Sequence, residues 1–225
     1  MKKLTNKILE NILGIHIINA KNIKEKPTSL VKQNATKLIY FYELMKMIRN
    51  LEGDIVECGV GWGRSLFYFS LVSEILGQDK HIYGFDSFQG FPEPTDEDHA
   101  KLYGIKKGRY KTQEENVLNY LLNCGINQKT IENKITLIKG FFSDTLSKYS
   151  GNKISLLHLD VDLYQSYKET LSFFYPKVVT GGIIAFDEYQ SAKFVGAKKA
   201  IDEFFSDKNK KINKSKIANR YYIII

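Results

Sequence analysis

The sequence predicts an α/β fold in which helices cover both faces of a mostly parallel sheet. Three observations lead to this prediction. Apolar, strand-like runs alternate with helix-length patterns along the 225 residues. The strand-like runs are apolar on both faces, as in sheets that are covered on two sides. No internal repeat, low-complexity tract or Pro/Gly-rich linker divides the chain, so we expect one domain over residues 1–225.

The predicted elements follow one another in a regular order. Residues 1–50 are predicted to be a helical segment, with a short amphipathic helix first and a second helix near 35–50. The predicted strands cover 54–58, 81–86, 135–138, 154–160, 182–187 and 220–225, and the predicted helices between them cover 62–76, 113–123, 142–149, 165–174 and 196–205. The polar segment 87–112 is too long for an ordinary connection, so we expect a lid or substrate loop there.

Composition and cysteine usage exclude several classes of protein. With 43% hydrophobic and 13% aromatic residues, the chain can bury a core and is not expected to be disordered. Its two cysteines, Cys58 and Cys124, can build neither a disulfide scaffold nor a zinc site. No apolar run approaches the roughly 20 residues of a membrane span. Charged and polar residues also interrupt the N-terminal apolar stretch, so we expect a cytoplasmic protein.

The formal charge of +8 raises the question of a nucleic-acid partner. Of the 33 basic residues only four are arginines, the residue type that base readout and bidentate phosphate contacts favour. The one dense cluster of lysines lies between 208 and 216, and we interpret it as a solvated loop. We therefore expect no nucleic-acid partner.

A glycine-rich turn follows the first predicted strand, in the stretch DIVECGVGWGRS at residues 54–65. Gly59, Gly61 and Gly63 permit positive φ and close approach of a ligand, and the helix after them offers free N–H groups. Dinucleotide-binding folds use a similar turn, but the spacing here is G-x-G-x-G rather than G-x-G-x-x-G. Glu57, two residues before Gly59, can accept from an ammonium group. The turn therefore favours S-adenosylmethionine over NAD, with a packing turn that binds nothing as the alternative.

Two further segments fit an adenosine-containing cofactor. Asp86, at the end of the second predicted strand, can accept from both ribose hydroxyls of NAD or S-adenosylmethionine, or can simply cap the next turn. After the third predicted strand, Gly140 permits close approach, and Phe141 or Phe142 can pack on an adenine ring or belong to the core.

Acidic residues follow two further predicted strands. Asp160 and Asp162 end the stretch ISLLHLDVDLY, and Asp187 and Glu188 end GGIIAFDEY. Because neighbouring strands lie about 4.8 Å apart, we expect these carboxylates to converge. Their repulsion would raise their pKa values, and a hard divalent cation such as Mg²⁺ (or Mn²⁺, Ca²⁺) would relieve it. Caps and lysine partners are the alternative.

Asp160 and Asp162 are two residues apart and point to the same side if the strand persists, which permits a division of roles. Asp160, Asp187 and Glu188 would hold the metal, while Asp162 would act as the general base on a substrate hydroxyl. His158 lies mid-strand among leucines and is interpreted as a hydrogen-bonded core histidine. His99, in the 87–112 segment, is a candidate for deprotonating or orienting substrate, or an exposed loop residue. The basic residues of that segment favour an anionic or phosphorylated acceptor.

With these motifs the chain resembles the macrocin O-methyltransferase family, which includes the mycinamicin and novobiocin sugar methyltransferases. The matching stretches are GDIVECGVGWGRS, IYGFDSFQGFPEP, LIKGFFSDTL, LLHLDVDLYQSYKETLSFFYPKV, GGIIAFDEYQ and VGAKKAIDEFF, which cover most of residues 53–205 in order. The resemblance implies a Rossmann-like class I methyltransferase fold with a mostly parallel seven-stranded sheet. It also implies S-adenosylmethionine as donor, dependence on Mg²⁺, and a sugar hydroxyl as acceptor.

The resemblance also assigns residues by position. It makes Asp160, Asp187 and Glu188 the metal ligands, with Glu188 standing where an aspartate is usual, and Asp162 the base. The donor site it implies consists of Glu57, Cys58, Gly59, Gly61, Arg64, Ser65, Asp86, Ser87, Gly140, Phe141, Phe142 and Asp160.

The acceptor is the least determined part of this interpretation. The antibiotic-tailoring members carry an N-terminal extension that this chain largely lacks. We therefore expect a sugar of a surface polysaccharide, its nucleotide-linked precursor, or another glycoconjugate. A phenolic or catechol hydroxyl is the main alternative, followed by an NAD-binding oxidoreductase. The N-terminal helices are suited either to homodimer formation or to packing on the lid.

Overall fold

The computed structural model describes residues 32–225, so the amphipathic helix predicted at the N-terminus lies outside the described residues. Within them, seven strands form one sheet in the order β3-β2-β1-β4-β5-β7-β6. The strands are β1 (Asp54–Cys58), β2 (Ile82–Asp86), β3 (Ile135–Lys139), β4 (Ile154–Leu159), β5 (Val178–Phe186), β6 (Asn213–Lys214) and β7 (Tyr221–Ile224). The first five strands are parallel and β7 is antiparallel to both neighbours, which confirms the predicted mostly parallel sheet.

Helices cover both faces of this sheet. They are α1 (Lys32–Met47), α2 (Arg64–Leu76), α3 (Ala100–Tyr103), α4 (Glu114–Asn123), α5 (Gln128–Lys134), α6 (Phe142–Thr145), α7 (Tyr164–Phe174) and α8 (Val195–Phe205). The apolar sides of α1, α2, α4 and α5 pack in one core cluster, and those of α7 and α8 pack in another. The strands contribute to both clusters, which is why their sequences are apolar on both faces.

Most predicted elements are present with bounds shifted by a few residues, and four features differ. Helix α5 was not predicted, because its sequence QKTIENK has little apolar periodicity; the Asn127 side chain caps it by accepting from Thr130 N–H at 2.8 Å. Strand β5 begins at Val178 rather than at residue 182. The prediction missed its first residues because Gly181 and Gly182, which weaken a strand pattern, lie within it. The segment 87–112 contains a 3-10 turn and the short helix α3. The two-residue strand β6 is too short to be recognised from sequence.

The parallel topology brings the carboxyl ends of β1 to β5 to one edge of the sheet. This edge receives the glycine turn after β1, Asp86 at the end of β2, Gly140 after β3, and the acidic residues after β4 and β5. Among residues 32–225, no helix combines the length and apolar character needed to cross a bilayer.

Candidate functional site

The glycine turn after β1 is held tightly against β4. Gly59 has a φ of +88°, and a Cβ built on it would lie 2.0 Å from the carbonyl oxygen of Asp160. The N–H of Gly59 donates to Phe85 O at 2.8 Å, while Asp160 N–H donates to Cys58 O at 2.9 Å. Only glycine can occupy this position, because both the backbone conformation and the space exclude a side chain. Gly61, by contrast, faces open space.

Asp86 joins this turn to the end of β2. Its Oδ2 accepts from Gly61 N–H at 2.8 Å, and its Oδ1 accepts from Phe88 N–H at 2.7 Å. Burial raises the pKa of Asp86 more than these backbone hydrogen bonds lower it. Each oxygen keeps acceptor capacity, and the residue lines the cavity described next, so it remains available to a hydroxyl.

A cavity of about 600 Å³ opens at this edge of the sheet. Of the twelve residues predicted for the donor site, ten line it: Gly59, Gly61, Arg64, Ser65, Asp86, Ser87, Gly140, Phe141, Phe142 and Asp160. Asp162 lines the same cavity, together with three residues of α7 that the sequence did not indicate: Gln165, Ser166 and Glu169. Asp160 therefore stands where the donor-site residues meet the acidic residues.

The other two predicted donor-site residues, Glu57 and Cys58, lie below the cavity within β1. Glu57 is 1% exposed and its Oε1 lies 3.0 Å from His158 Nδ1, while its Oε2 has no hydrogen-bond partner among residues 32–225. Burial raises the pKa of Glu57 and of the Cys58 thiol. His158 is thus the hydrogen-bonded core histidine that the sequence predicted.

The acidic residues converge as predicted, but not by the predicted route. Asp160, Asp162 and Glu188 each place a carboxylate oxygen within 4.8 Å of the others. Because β4 ends at Leu159, strand alternation does not orient Asp162. A tight turn does so instead: Leu163 N–H donates to Val161 O at 2.6 Å, and Asp162 has a φ of +60°. Such strain at a non-glycine residue costs about 1–3 kcal/mol and is typical of functional sites.

The electrostatics of these three carboxylates favour a cation. Burial raises the pKa values of Asp160, Asp162 and Glu188, and repulsion from neighbouring carboxylates raises them further. Three converging carboxylate groups form the oxygen donor set that Mg²⁺, Mn²⁺ or Ca²⁺ accepts. The residues present therefore fit a divalent cation.

Asp187, the third metal ligand implied by the resemblance, is in a different environment. Its Oδ1 lies 2.7 Å from Arg220 Nε, 3.2 Å from Lys37 Nζ and 3.5 Å from His158 Nε2. Burial would raise the pKa of Asp187, but the three cations outweigh it and hold that pKa well below its usual range. The structure thus places Asp187 among cations, beside the cluster of the other three acids.

Sequence reasoning missed Lys37 and Arg220, two of the three cations around Asp187. Lys37, on α1, also lies 3.5 Å from Asp160 Oδ2, and its side chain is only 17% exposed. The available signal was its position one helical turn before the buried Phe41. Burial would lower the pKa of His158, but the neighbouring carboxylates of Asp187 and Glu57 raise it to about 9.

His99 and four of the five basic residues of the 87–112 segment line one or both of two cavities. His99 lines a second cavity of about 700 Å³ rather than the first. Lys107 lines both cavities, and Arg109 lines the first. His99 is therefore not next to Asp162 and the donor-site residues, whereas Lys107 connects the two cavities.

The sheet order, the glycine turn at the β1 carboxyl end and the acid at the end of β2 define a Rossmann-like methyltransferase fold. The family model described as macrocin O-methyltransferase (TylF) matches residues 35–220. The chain therefore belongs to the TylF macrocin O-methyltransferase family.

Curated relatives and a solved structure agree with this assignment. Demethyldecarbamoylnovobiocin O-methyltransferase of Streptomyces niveus is 29% identical over 161 residues, which cover 69% of this chain and 59% of that protein. Mycinamicin III 3''-O-methyltransferase of Micromonospora griseorubida is 27% identical over 149 residues, covering 61% of this chain and 55% of that protein. The chain thus spans little more than half the length of these relatives.

The crystal structure of the calicheamicin methyltransferase CalS11 has the same fold. It superposes with a TM-score of 0.78 at 23% identity, covering 99% of this chain and 92% of that chain. A second structure of CalS11, in the apo form, is described as a TDP-rhamnose 3'-O-methyltransferase.

Proposed function

We propose that the protein is an S-adenosylmethionine- and Mg²⁺-dependent O-methyltransferase of a sugar hydroxyl, that it acts in the cytoplasm, and that residues 1–225 belong to one domain. The observation that carries the proposal is that ten donor-site residues and Asp162 line one cavity, with Asp160 between them. The named activities of the relatives, which are O-methylations of glycosylated antibiotics, support the reaction class.

The donor half of the cavity is suited to a sulfonium nucleoside. Asp86 would accept from the ribose hydroxyls, and Phe141 and Phe142 would pack beside the adenine. Glu57 is buried against His158 and does not line the cavity, so it would not contact the donor directly. S-adenosylmethionine, when bound, supplies an electrophilic methyl group. The chain has to orient the acceptor oxygen toward that methyl group and exclude water.

Asp162 is the proposed general base. It lines the cavity, and burial together with the charges of Asp160 and Glu188 raises its pKa well above the usual range of a carboxyl. A higher pKa makes this carboxylate a better proton acceptor for a sugar hydroxyl, which is a weak acid. Asp160, Asp187 and Glu188 would hold a divalent cation, with Asp162 beside them facing the acceptor hydroxyl. A bound cation supplies neutralisation of the acids and polarisation of the acceptor oxygen.

The acceptor is proposed to be an anionic sugar derivative, such as a nucleotide-linked precursor of a surface polysaccharide. The 87–112 segment is the proposed substrate loop, because it contributes Lys107 and Arg109 to the wall of the first cavity. His99 would orient the part of the acceptor that extends into the second cavity. CalS11, described as acting on a TDP-sugar, offers a precedent.

Two measurements test this function. Calorimetry with S-adenosylhomocysteine and MgCl₂ should register binding of both. A methyl-transfer assay with a panel of nucleotide sugars, neutral glycosides and catechols should give product with a sugar and lose it in EDTA. Activity that persists in EDTA would remove the metal from the proposal, and transfer to catechols alone would replace the sugar with a phenolic acceptor.

A further inference from the structure

The ammonium group of Lys37 lies inside the site proposed for the divalent cation. Its Nζ is 3.5 Å from Asp160 Oδ2 and 3.2 Å from Asp187 Oδ1, and the residue lines the first cavity. It comes from α1, a helix that belongs to none of the sequence motifs discussed above. This largely buried ammonium pairs with both carboxylates; within residues 32–225 it is the ion-pair partner of Asp160, whereas Asp187 also contacts Arg220 and His158.

The packing of α1 fixes this position. Phe41, one turn after Lys37, stacks edge-on against His158 at 5.0 Å and against Phe69 of α2 at 4.7 Å between ring centroids. Leu44 and Met45 continue the same buried stripe. Lys37 lies at the polar end of that stripe, so the packing of the helix places its ammonium group at the sheet edge.

The charges at the edge explain what Lys37 does there. Five acidic and three basic side chains gather there, and Lys37 is the one of the three basic side chains that contacts Asp160. The acids are Glu57, Asp160, Asp162, Asp187 and Glu188, and the cations are Lys37, His158 and Arg220.

We propose that Lys37 is a positioning residue for the metal-binding acids: its ammonium group holds Asp160 and Asp187 together and competes with the divalent cation for Asp160. This inference rests on the proposed function, in which Asp160 is a metal ligand. It also makes α1 part of the metal site, since the Lys37 ammonium already lies 3.5 Å from Asp160 Oδ2 and repels a cation that approaches this carboxylate.

The variant Lys37→Met tests the competition, because it keeps the length of the stem and removes the charge. Lys37→Arg keeps the charge, and Lys46→Met removes a charge from an exposed position on the same helix. Titrating MgCl₂ into each protein by calorimetry, we expect Lys37→Met to bind roughly tenfold more tightly, since a repelling cation is gone. Lys37→Arg and Lys46→Met should bind as the wild type does. Unchanged or weaker binding by Lys37→Met overturns the competition and leaves the metal site standing.

Melting in EDTA tests the positioning role separately from metal binding. Lys37→Met should melt several degrees below the wild type and below Lys46→Met, because Asp160 and Asp187 lose a partner, and MgCl₂ should restore part of the loss. Equal melting temperatures overturn the positioning role. If neither protein takes up Mg²⁺, the metal falls from the proposed function and the competition falls with it. The comparison of melting temperatures still decides whether the Lys37 ammonium holds Asp160 and Asp187 together.

A measurement on the wild-type protein needs no variant to fold. Amine acylation followed by mass spectrometry reports how accessible each lysine is. Saturating MgCl₂ should increase labelling of Lys37 at least several-fold and leave labelling of Lys46 unchanged. Labelling of Lys37 that does not respond to MgCl₂, in a protein that binds the ion, overturns the competition.

Discussion

Replacing Gly59 with alanine should damage both the stability of the protein and its donor site. A residue with a side chain pays about 1–2 kcal/mol for the left-handed conformation that the φ of +88° imposes. The new Cβ would also lie 2.0 Å from the carbonyl oxygen of Asp160, which belongs to the backbone and cannot rotate away. Relieving that contact requires β1 and β4 to separate at their carboxyl ends, at a cost of about 1–3 kcal/mol more.

Gly77→Ala is the matched control for the backbone term. Gly77 has a φ of +62° at the end of α2, and a Cβ there meets nothing within 4 Å. In urea unfolding, Gly59→Ala should therefore lose about 1–3 kcal/mol more than Gly77→Ala. Calorimetry with S-adenosylhomocysteine should show at least tenfold weaker binding for Gly59→Ala alone. Equal losses in the two variants, with donor binding intact, would refute the close contact between the turn and β4.

Three further outcomes are expected. Asp162→Asn should lower kcat by roughly 10²–10⁴-fold and leave the Kd for S-adenosylhomocysteine unchanged, because it removes the proton acceptor only; full activity would contradict the base assignment. Arg220→Met should lower the free energy of unfolding in EDTA by about 3–5 kcal/mol, since it removes the 2.7 Å partner of the buried Asp187. A loss below about 1 kcal/mol would show that Lys37 and His158 suffice to compensate the Asp187 carboxylate. The pKa of His158 in the folded state is raised from 6.5 to about 9. Protonation of His158 therefore stabilises the folded state fully below pH 6.5, and this contribution of at most about 3 kcal/mol is lost as the pH rises through 9. Urea unfolding of the wild type and of His158→Gln across this pH range should show the loss in the wild type only.

Much of the fold follows from local patterns. β1 (Asp54–Cys58) matches the predicted strand, and the helices on either side of β4 and β5 begin within a residue or two of the predicted positions. The buried sides of these segments are apolar, so local preference and burial agree. α5 escaped prediction because its seven residues bury mainly Ile131, and the Asn127 cap alone is a weak signal.

Part of the candidate site also follows from sequence order alone. In a parallel sheet the residue after each strand comes to the same edge, so the glycine turn, Asp86 and the acids were expected to meet, and all of them lie at that edge. Glu57 and His99 show the limit of this reasoning. Strand alternation points Glu57 into the core against His158, and the path of the 87–112 segment turns His99 into the second cavity.

The sequence by itself determined the sheet, the family and the residue types that gather at its edge, because these depend on periodicity and on strand order. Only the tertiary structure decided which acid faces which cation. Lys37 meets Asp160 across 123 positions of sequence and Arg220 meets Asp187 across 33. The energy of such pairs depends on distances of about 3 Å and on burial, and both are set by how helices and strand ends pack rather than by any local pattern.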